Sequence, residues 1–200
     1  MTGRVLVGWS EPDAPAESDR LLTATELDRM ARFRRPEDRS RYRSAHVMAR
    51  LVIGELAGLA ESSVRLHQTC RWCDGPHGRP YVDHPAEVYV NWSHAGDRVV
   101  AAATYLGPLG VDVESVEAVA RARIDDDAAA WVLKESLLKA TGDGLTVVLD
   151  KAALSPGAAV TDLDLGTGYA ACLTVLTTGH PAVEVRRVDL SGSGRDRRGA

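Results

Sequence analysis

The segment WVLKESLLKATGDGL, residues Trp131 to Leu145, carries the pattern from which the fold of this chain is predicted. Its apolar residues recur at helical spacing, and glycines such as those of TGDG often end a helix. At 100° per residue, Glu135 and Lys139 lie about 40° and about 80° from Trp131, between apolar side chains. A surface pair at this spacing contributes only about 0.2–0.5 kcal/mol and needs a polar face around it. We therefore expect both charges to face a cleft.

A second acidic motif precedes this helix in the segment GVDVES. Side chains alternate along a strand, so Asp112 and Glu114 fall on one face and Val111 and Val113 on the other. Like charges at this separation repel each other. Either the face is solvated, or a cation lies between the carboxylates, and oxygen-only ligands favour a hard cation such as Mg²⁺.

Two further segments offer groups that suit phosphate. NWSH places Ser93 and His94 at the end of a strand, before a predicted hairpin with Gly96 at its bend. HGRP places Arg79 on a loop, where a guanidinium favours bidentate phosphate contact. A single histidine is also often structural, so both interpretations of His94 stay open.

The segment CRWCDGPH raises the alternative of a zinc site. Cys70, Cys73 and His77 supply three ligands, or four with His67, and no second CxxC follows to complete a site. A packed loop with two thiols is therefore the preferred interpretation, and the role of the cysteines stays open.

The apolar periodicity predicts the order strand, helices, strands, followed by strand, helix, strands. Besides the helix described above, helices are expected over 23–35 and 37–59, interrupted at Pro36, and strands over 4–9, 63–67, 87–91, 98–104, 109–114, 146–149, 158–163, 169–176 and 183–190. This order predicts an α+β fold of two similar α/β halves. We expect the halves to be 1–107 and 108–190, followed by a disordered tail over 191–200.

Composition excludes several classes of protein. The net charge of −4 argues against a general nucleic-acid binder, which is usually strongly basic. No apolar run approaches the roughly 18 residues of a membrane span, so we expect no membrane association. Three cysteines, an odd number, fit a reducing compartment better than a disulfide framework. We therefore expect a cytoplasmic protein, and any anionic ligand must be bound by local charges.

Taken together, GVDVE, WVLKESLLKATGDGL, NWSH and GRP resemble the Sfp-type 4′-phosphopantetheinyl transferases in identity, order and approximate spacing. The long motif is the specific one, and the resemblance covers roughly residues 29–145. It implies the fold of that family, a monomer whose two similar halves are related by a pseudo-two-fold axis with the site between them.

The resemblance also implies the reaction. Such enzymes transfer the 4′-phosphopantetheine arm of coenzyme A to a serine of an apo acyl or peptidyl carrier protein and release adenosine 3′,5′-bisphosphate. Carried over by residue, Asp112, Glu114 and Glu135 would hold Mg²⁺ against the pyrophosphate. Glu135 would also be the base for the serine hydroxyl, directly or through water.

The phosphate-binding residues are implied in the same way. Lys139 would offset charge on the phosphate under attack or on the leaving group, and the nucleotide phosphates would be bound by Arg29, Arg79, Ser93 and His94. The match of Arg29 is looser, and Arg79 stands where many members have lysine. Only 16 residues, Ser115 to Ala130, separate the acidic motif from Trp131. Family members commonly have a longer insert there, which helps to receive the carrier protein.

Two alternatives remain beside the transferase. One is a catalytically silent relative that binds carrier proteins or coenzyme A. The other is an unrelated Mg²⁺-dependent phosphohydrolase, for which the chain offers no usual nucleophile. Polyketide, nonribosomal peptide and fatty-acid carriers all fit the resemblance, and a role in secondary metabolism is expected only from family habit.

Overall fold

The computed structural model describes residues 3–70, 73–84, 86–122, 127–142 and 157–192. The helices are α1 (Ala24–Ala31), α2 (Pro36–Ala57), α3 (Val116–Arg121) and α4 (Ala128–Thr141). The strands are β1 (Arg4–Ser10), β2 (Leu66–Gln68), β3 (Pro80–Val82), β4 (Tyr89–Ala95), β5 (Arg98–Thr104), β6 (Leu109–Ser115), β7 (Ala158–Asp162), β8 (Tyr169–Leu176) and β9 (Ala182–Arg187). Helices pack on two mixed or antiparallel sheets, so the predicted α+β class is confirmed.

The larger sheet has the strand order β2-β3-β4-β5-β1-β9. β4 and β5 form the predicted hairpin, and Gly96 at its turn has a φ of 53°, a left-handed conformation that favours glycine. β9 pairs in parallel with β1, although it lies far later in the chain. The sheet thus contains strands from both sides of the expected division after residue 107, and that division stays a prediction.

Helix α2 packs across one face of the larger sheet. Its Met48, Val52 and Ile53 share a buried core with Val99 and Ala101 of β5. Burying each such large apolar side chain contributes about 1.5–3 kcal/mol. This core therefore fixes the β4–β5 hairpin, which carries the NWSH segment, against α2.

The smaller sheet has the strand order β6-β8-β7 and is antiparallel. Val111 and Val113 of β6 are buried in a second core, which also contains Val7 of β1 and Leu173 of β8 and so joins the two sheets. The opposite face of β6 packs against α4. The alternation predicted for this strand is therefore confirmed, and it leaves Asp112 on the side of the helix.

The contact between β6 and α4 depends on Gly110. A Cβ atom built at Gly110 would overlap the Ser136 carbonyl oxygen and would lie 2.6 Å from the Ala140 backbone nitrogen. Only glycine lets the helix backbone approach the strand this closely, and the approach brings the Lys139 side chain to Asp112 on the same strand.

We predict that Gly110→Ala lowers the free energy of unfolding by about 1–3 kcal/mol or more, because α4 must move away from β6. Urea unfolding followed by circular dichroism measures the change. Gly192→Ala is the matched control, since a Cβ atom there would meet nothing within 4 Å. Equal unfolding midpoints for the two variants would show that the close approach is unimportant.

Several predicted boundaries of the first elements are wrong. α1 ends at Ala31 rather than at residue 35. Pro36 is the first residue of α2 rather than an interruption, because the first helical position needs no backbone N–H donor. A 3-10 turn occupies residues 61–63, where a strand over 63–67 was expected, and β2 begins only at Leu66.

The remaining predictions divide into three groups. Five strands, β1, β5, β6, β7 and β8, are confirmed within one residue at either end. β4 begins two residues later than expected and continues to Ala95, and β9 ends at Arg187 rather than at residue 190. β3 and α3 were not predicted. The expected strand over 146–149 and most of the expected tail, 193–200, lie outside the described residues. Among the described helices, none combines the length and the apolar character needed to cross a membrane.

Candidate active site

Asp112 of β6 is the centre of the candidate site. Its side chain is only 5% exposed, and its Oδ1 accepts hydrogen bonds from Ser93 Oγ at 2.8 Å and from Lys139 Nζ at 2.6 Å. Its Oδ2 is buried and has no hydrogen-bond partner among the described residues. A buried carboxylate oxygen without a partner is costly, so this atom calls for a ligand such as a cation.

Lys139 reaches this carboxylate from α4. Its Nζ donates to Asp112 Oδ1 and, at 3.1 Å, to the Val111 carbonyl oxygen of β6. The ion pair that the structure gives Lys139 is therefore with Asp112 and not with Glu135 one turn earlier. The alternative of a surface Glu–Lys pair on α4 does not describe this geometry.

A cavity of about 180 Å³ lies beside this ion pair. Glu135 and Lys139 line it together with Arg79 and Asn91, so the prediction that the two helix charges face a cleft is confirmed. Asn91 was not among the predicted site residues. It is buried, and its Oδ1 accepts a hydrogen bond from the Val111 backbone N–H at 3.2 Å, which ties β4 to β6.

The carboxylates near Asp112 hold their protons more tightly than usual. Burial raises the pKa of Glu114, and the negative charges of Asp112 and Glu135 raise it further, against the opposing effect of Lys139. Burial also raises the pKa of Glu135, with a further increase from Asp112 and a decrease from Lys139. The positive charge of Lys139 therefore does not balance the three carboxylates, and an added cation would stabilise their ionised forms.

The three carboxylates do not form a compact ligand set. In the described part of the chain, the group of three metal-ligating side chains whose ligand atoms lie within 4.8 Å of one another is Cys70, Cys73 and His77. The residues nevertheless suit Mg²⁺ in two respects: they offer only oxygen ligands, and Asp112 Oδ2 is buried without a partner. The side chains of Glu114 and Glu135 would need to turn toward Asp112 to share one ion.

Arg79 joins the cavity from the loop before β3. Its Nη2 donates to the Ala140 carbonyl oxygen at 2.6 Å, near the C-terminus of α4, where carbonyl groups lack helical partners. Its Nε is buried with no hydrogen-bond partner among the described residues. Arg79 thus both anchors the end of α4 and carries a donor that the described residues leave unused.

Ser93 and His94 are consecutive residues of β4, so their side chains point to opposite faces of the strand, and the side chain of Ser93 faces Asp112. Ser93 is already bonded to Asp112, whereas the His94 side chain stays accessible. Crowding by neighbouring atoms reduces the hydration of the His94 ring and lowers its pKa, and the charges of Lys139 and Arg41 lower it further. His94 is therefore mainly neutral at pH 7, and the positive charges of Lys139 and Arg41 act on its ring.

Arg29 lies apart from these residues. It is exposed on α1, and its Nη1 donates to the Pro76 carbonyl oxygen at 3.3 Å. It lines a different cavity, of about 380 Å³, together with Tyr42 and Trp92. The structure therefore bonds Ser93 and Lys139 to Asp112. It brings Arg79, Glu135 and Lys139 into one cavity, whereas neither Arg29 nor His94 is among the residues that line that cavity.

A buried polar network that was not predicted holds α1 in place. Glu26 Oε2 accepts a hydrogen bond from Arg50 Nη2 at 2.6 Å, and Glu26 Oε1 lies 2.6 Å from His46 Nδ1. Burial alone would raise the pKa of Glu26, but His46 and Arg50 outweigh it and lower the pKa to about 2. Burial lowers the pKa of His46 and so favours its neutral form, whereas the guanidinium of Arg50 stays positively charged beside Glu26. The only part of this network that the sequence indicates is the capping box of Thr23 and Glu26, which marks the start of α1.

The fold and the site define an α+β chain in which a buried aspartate, a helix glutamate and several cationic groups surround one cleft, compatible with the 4′-phosphopantetheinyl transferase fold. No family model matches the chain. It is 26% identical over 163 residues to the 4′-phosphopantetheinyl transferase ffp of Bacillus subtilis, covering 70% of each chain. It is 28% identical over 150 residues to the 4′-phosphopantetheinyl transferase HetI of Nostoc sp., covering 62% of this chain and 61% of the relative. These relatives confirm that the chain resembles the 4′-phosphopantetheinyl transferases.

Proposed function

We propose that this chain transfers the 4′-phosphopantetheine arm of coenzyme A to a serine of an apo acyl or peptidyl carrier protein. The observation that carries the proposal is the environment of Asp112, whose Oδ1 pairs with Lys139 while its buried Oδ2 has no partner among the described residues. The names of both relatives support a transferase of this kind.

In this reaction the serine hydroxyl oxygen forms a bond to the phosphorus that carries the pantetheine arm. The P–O bond to the nucleotide breaks, and adenosine 3′,5′-bisphosphate leaves. The serine proton goes to Glu135. The raised pKa of this carboxylate suits a general base, because a base accepts a proton most effectively when its pKa lies near the working pH. Positioning and charge compensation account for most of the catalysis in phosphoryl transfer.

Asp112, Glu114 and Glu135 would hold Mg²⁺ in this proposal. When bound, the ion would offset the negative charge of the pyrophosphate. Lys139 would act beside it, because an ammonium group has three N–H donors and the described residues engage two of them, at Asp112 and Val111. The third donor is available to a phosphate oxygen in the cavity.

Arg79, Ser93 and His94 would bind the nucleotide phosphates. Arg79 lines the cavity and has an Nε donor without a partner among the described residues, and the charges of Lys139 and Arg41 act on the His94 ring. Arg29 would contribute only from the neighbouring cavity, to a part of the nucleotide that extends beyond the catalytic cleft.

His94 provides a prediction on pH dependence. Its pKa lies below the usual value, and we predict that adenosine 3′,5′-bisphosphate raises it, because a phosphate next to the ring stabilises the imidazolium form. NMR titration of the His94 ring with and without the nucleotide measures the shift, and His94→Gln assigns the resonance. The ring of His84, in the loop after β3, serves as the control whose resonances stay unchanged. An identical His94 titration at saturating nucleotide would remove this residue from the phosphate site.

The architecture and setting of the enzyme belong to the same proposal. We propose two halves, 1–107 and 108–190, related by a pseudo-two-fold axis, in a monomer that works in the cytoplasm. Carriers of polyketide, nonribosomal peptide or fatty-acid synthesis all fit the chemistry, and secondary metabolism is the expected setting. The short segment between Glu114 and Trp131, which contains α3, is the region expected to receive the carrier.

The test is the intact mass of an apo carrier protein after incubation with the chain, coenzyme A and Mg²⁺. We expect the mass to rise by one phosphopantetheine, with adenosine 3′,5′-bisphosphate released in equal amount. A carrier whose acceptor serine is replaced by alanine should stay unchanged. No mass gain with any of several acyl and peptidyl carriers would reject the transferase and favour a silent binding relative.

A further inference from the structure

The loop between β2 and β3 gathers three side chains that the catalytic proposal does not use. The ligand atoms of Cys70, Cys73 and His77 all lie within 4.8 Å of one another, and Cys73 Sγ is 3.1 Å from His77 Nε2. None of the three lines either cavity described above. The two thiols and one imidazole therefore form a cluster of their own.

The spacing of these atoms suits a zinc ion. Zinc bonds of about 2.3 Å to sulfur and about 2.1 Å to nitrogen place tetrahedral ligand atoms roughly 3.6 Å apart. Cys73 Sγ and His77 Nε2 lie 3.1 Å apart, at hydrogen-bond distance, so these two atoms would separate by about 0.5 Å to hold the ion. Thiolate and imidazole ligands favour zinc over the hard cation expected at the carboxylates, so the two sites differ in ligand chemistry.

The backbone of the loop holds the ligands in this arrangement. The Asp74 N–H donates to the Cys70 carbonyl oxygen, and the Cys70 N–H donates to the Gly75 carbonyl oxygen, both at 2.9 Å. Asp74 has a φ of 54°, which tightens the turn between the cysteines and the histidine. A Cβ atom at Gly75 would lie 3.2 Å from Cys73 Sγ and 3.1 Å from the His77 ring, so a larger residue would crowd both ligands.

We propose that Cys70, Cys73 and His77 bind Zn²⁺ and that a water molecule completes the tetrahedron. His67 is not the fourth ligand, because it lies outside the cluster and its ring stacks on Tyr81 with the centroids 5.2 Å apart. The proposal does not depend on the transferase activity.

The zinc ion would act on the loop and not on the substrate, because its ligands lie outside the cavity of Glu135 and Lys139. Gln68 Nε2 donates to the Gly78 carbonyl oxygen at 3.1 Å, and Arg79 follows directly and binds the end of α4. A metal that ties residue 70 to residue 77 therefore closes the loop whose exit carries Arg79. By holding the two ends of the loop together, the ion would fix the position of Arg79, and it would take no part in the transfer reaction.

The first test is the zinc content of the full chain purified under reducing conditions, measured by elemental mass spectrometry. We expect one zinc ion per chain, lost in Cys73→Ser and in His77→Ala. Cys172→Ala and His84→Ala are the matched controls, because they remove the same chemical groups outside the cluster, and both should retain the metal. Full zinc content in either cluster variant would overturn the proposal.

A second test does not depend on the stability of the variants. Co²⁺ added alone to the metal-free, reduced wild-type chain should produce the visible absorption of tetrahedral cobalt and a thiolate-to-cobalt charge-transfer band. Absence of both bands would overturn the proposal. A disulfide between Cys70 and Cys73, found by peptide mapping of chain purified under reducing conditions, would also overturn it, since metal binding requires both thiolates.

Discussion

Asp112→Asn is expected to slow phosphopantetheine transfer by about 100-fold or more. Asparagine keeps the shape of the side chain but removes its charge, so Lys139 loses its anionic partner and the proposed Mg²⁺ would lose a carboxylate ligand at the buried Oδ2 position. Excess Mg²⁺ should restore little of the rate. The rate of carrier modification, followed by intact mass at several Mg²⁺ concentrations, measures both effects.

The matched control for this variant is Asp162→Asn on β7. Both Asp112 and Asp162 pair in register with Cys172 of β8, but Asp162 is exposed and lies at the far side of the smaller sheet. We expect its activity to equal that of the wild type. A wild-type rate for Asp112→Asn at ordinary Mg²⁺ would remove Asp112 as a metal ligand.

Glu26→Gln is expected to lower the free energy of unfolding by about 3–5 kcal/mol, because it leaves the guanidinium of Arg50 buried without a negative partner. The Arg50 side chain is 0% exposed, and the Glu26 side chain is only 10% exposed. Urea unfolding at pH 7 measures the loss. Glu55→Gln is the matched control, because its partners Arg4 and Arg186 are both 46% exposed and surface pairs contribute only about 0–1 kcal/mol. A similar small loss in both variants would contradict the assignment.

The buried pair of Glu26 and Arg50 also predicts how the stability of the fold depends on pH. The pKa of Glu26 falls from 4.5 to about 2 in the folded chain, so its ionised form stabilises the fold above the unfolded pKa. This contribution is lost as the pH falls from about 5 toward 2. Wild-type unfolding midpoints should therefore drop more steeply over this range than those of Glu26→Gln, and parallel curves would show that the carboxylate is not coupled to folding.

The parts of the site that could be predicted are those determined by local periodicity. The alternation of β6 predicts that Asp112 and Glu114 share a face, and the helical period of α4 predicts that Glu135 and Lys139 face a cleft. Both patterns are complete within about ten residues of sequence. They require no knowledge of how the chain folds back on itself.

The partners of these residues could not be predicted, because they depend on tertiary packing. Lys139 binds Asp112 rather than Glu135 only because Gly110 lets α4 approach β6. The position of Arg29 follows from the buried contact of Glu26 with Arg50, which lies 24 residues away in sequence. The family resemblance indicates which residues form the candidate site, whereas the packing of α4 on β6 determines which of them contact one another.

The loop that carries Cys70, Cys73 and His77 shows a motif whose residues could be seen in the sequence but whose arrangement could not be predicted. Its spacing was visible, but three ligands without a second CxxC favoured a packed loop with two thiols. The turn at Asp74 and the absence of a side chain at Gly75 bring Cys73 and His77 into contact, and neither effect can be recognised from ligand counting alone.

The most direct test of the proposed transferase function compares the wild type with Glu135→Gln. The rate of transfer to one apo carrier is measured by intact mass with saturating coenzyme A and Mg²⁺. Glu17→Gln, on an exposed turn, is the matched control and should transfer at the wild-type rate. We predict that the wild type modifies the carrier fully and that Glu135→Gln is at least about 100-fold slower with an unchanged unfolding midpoint. A wild-type rate for Glu135→Gln, or no modification by the wild type, would contradict the account.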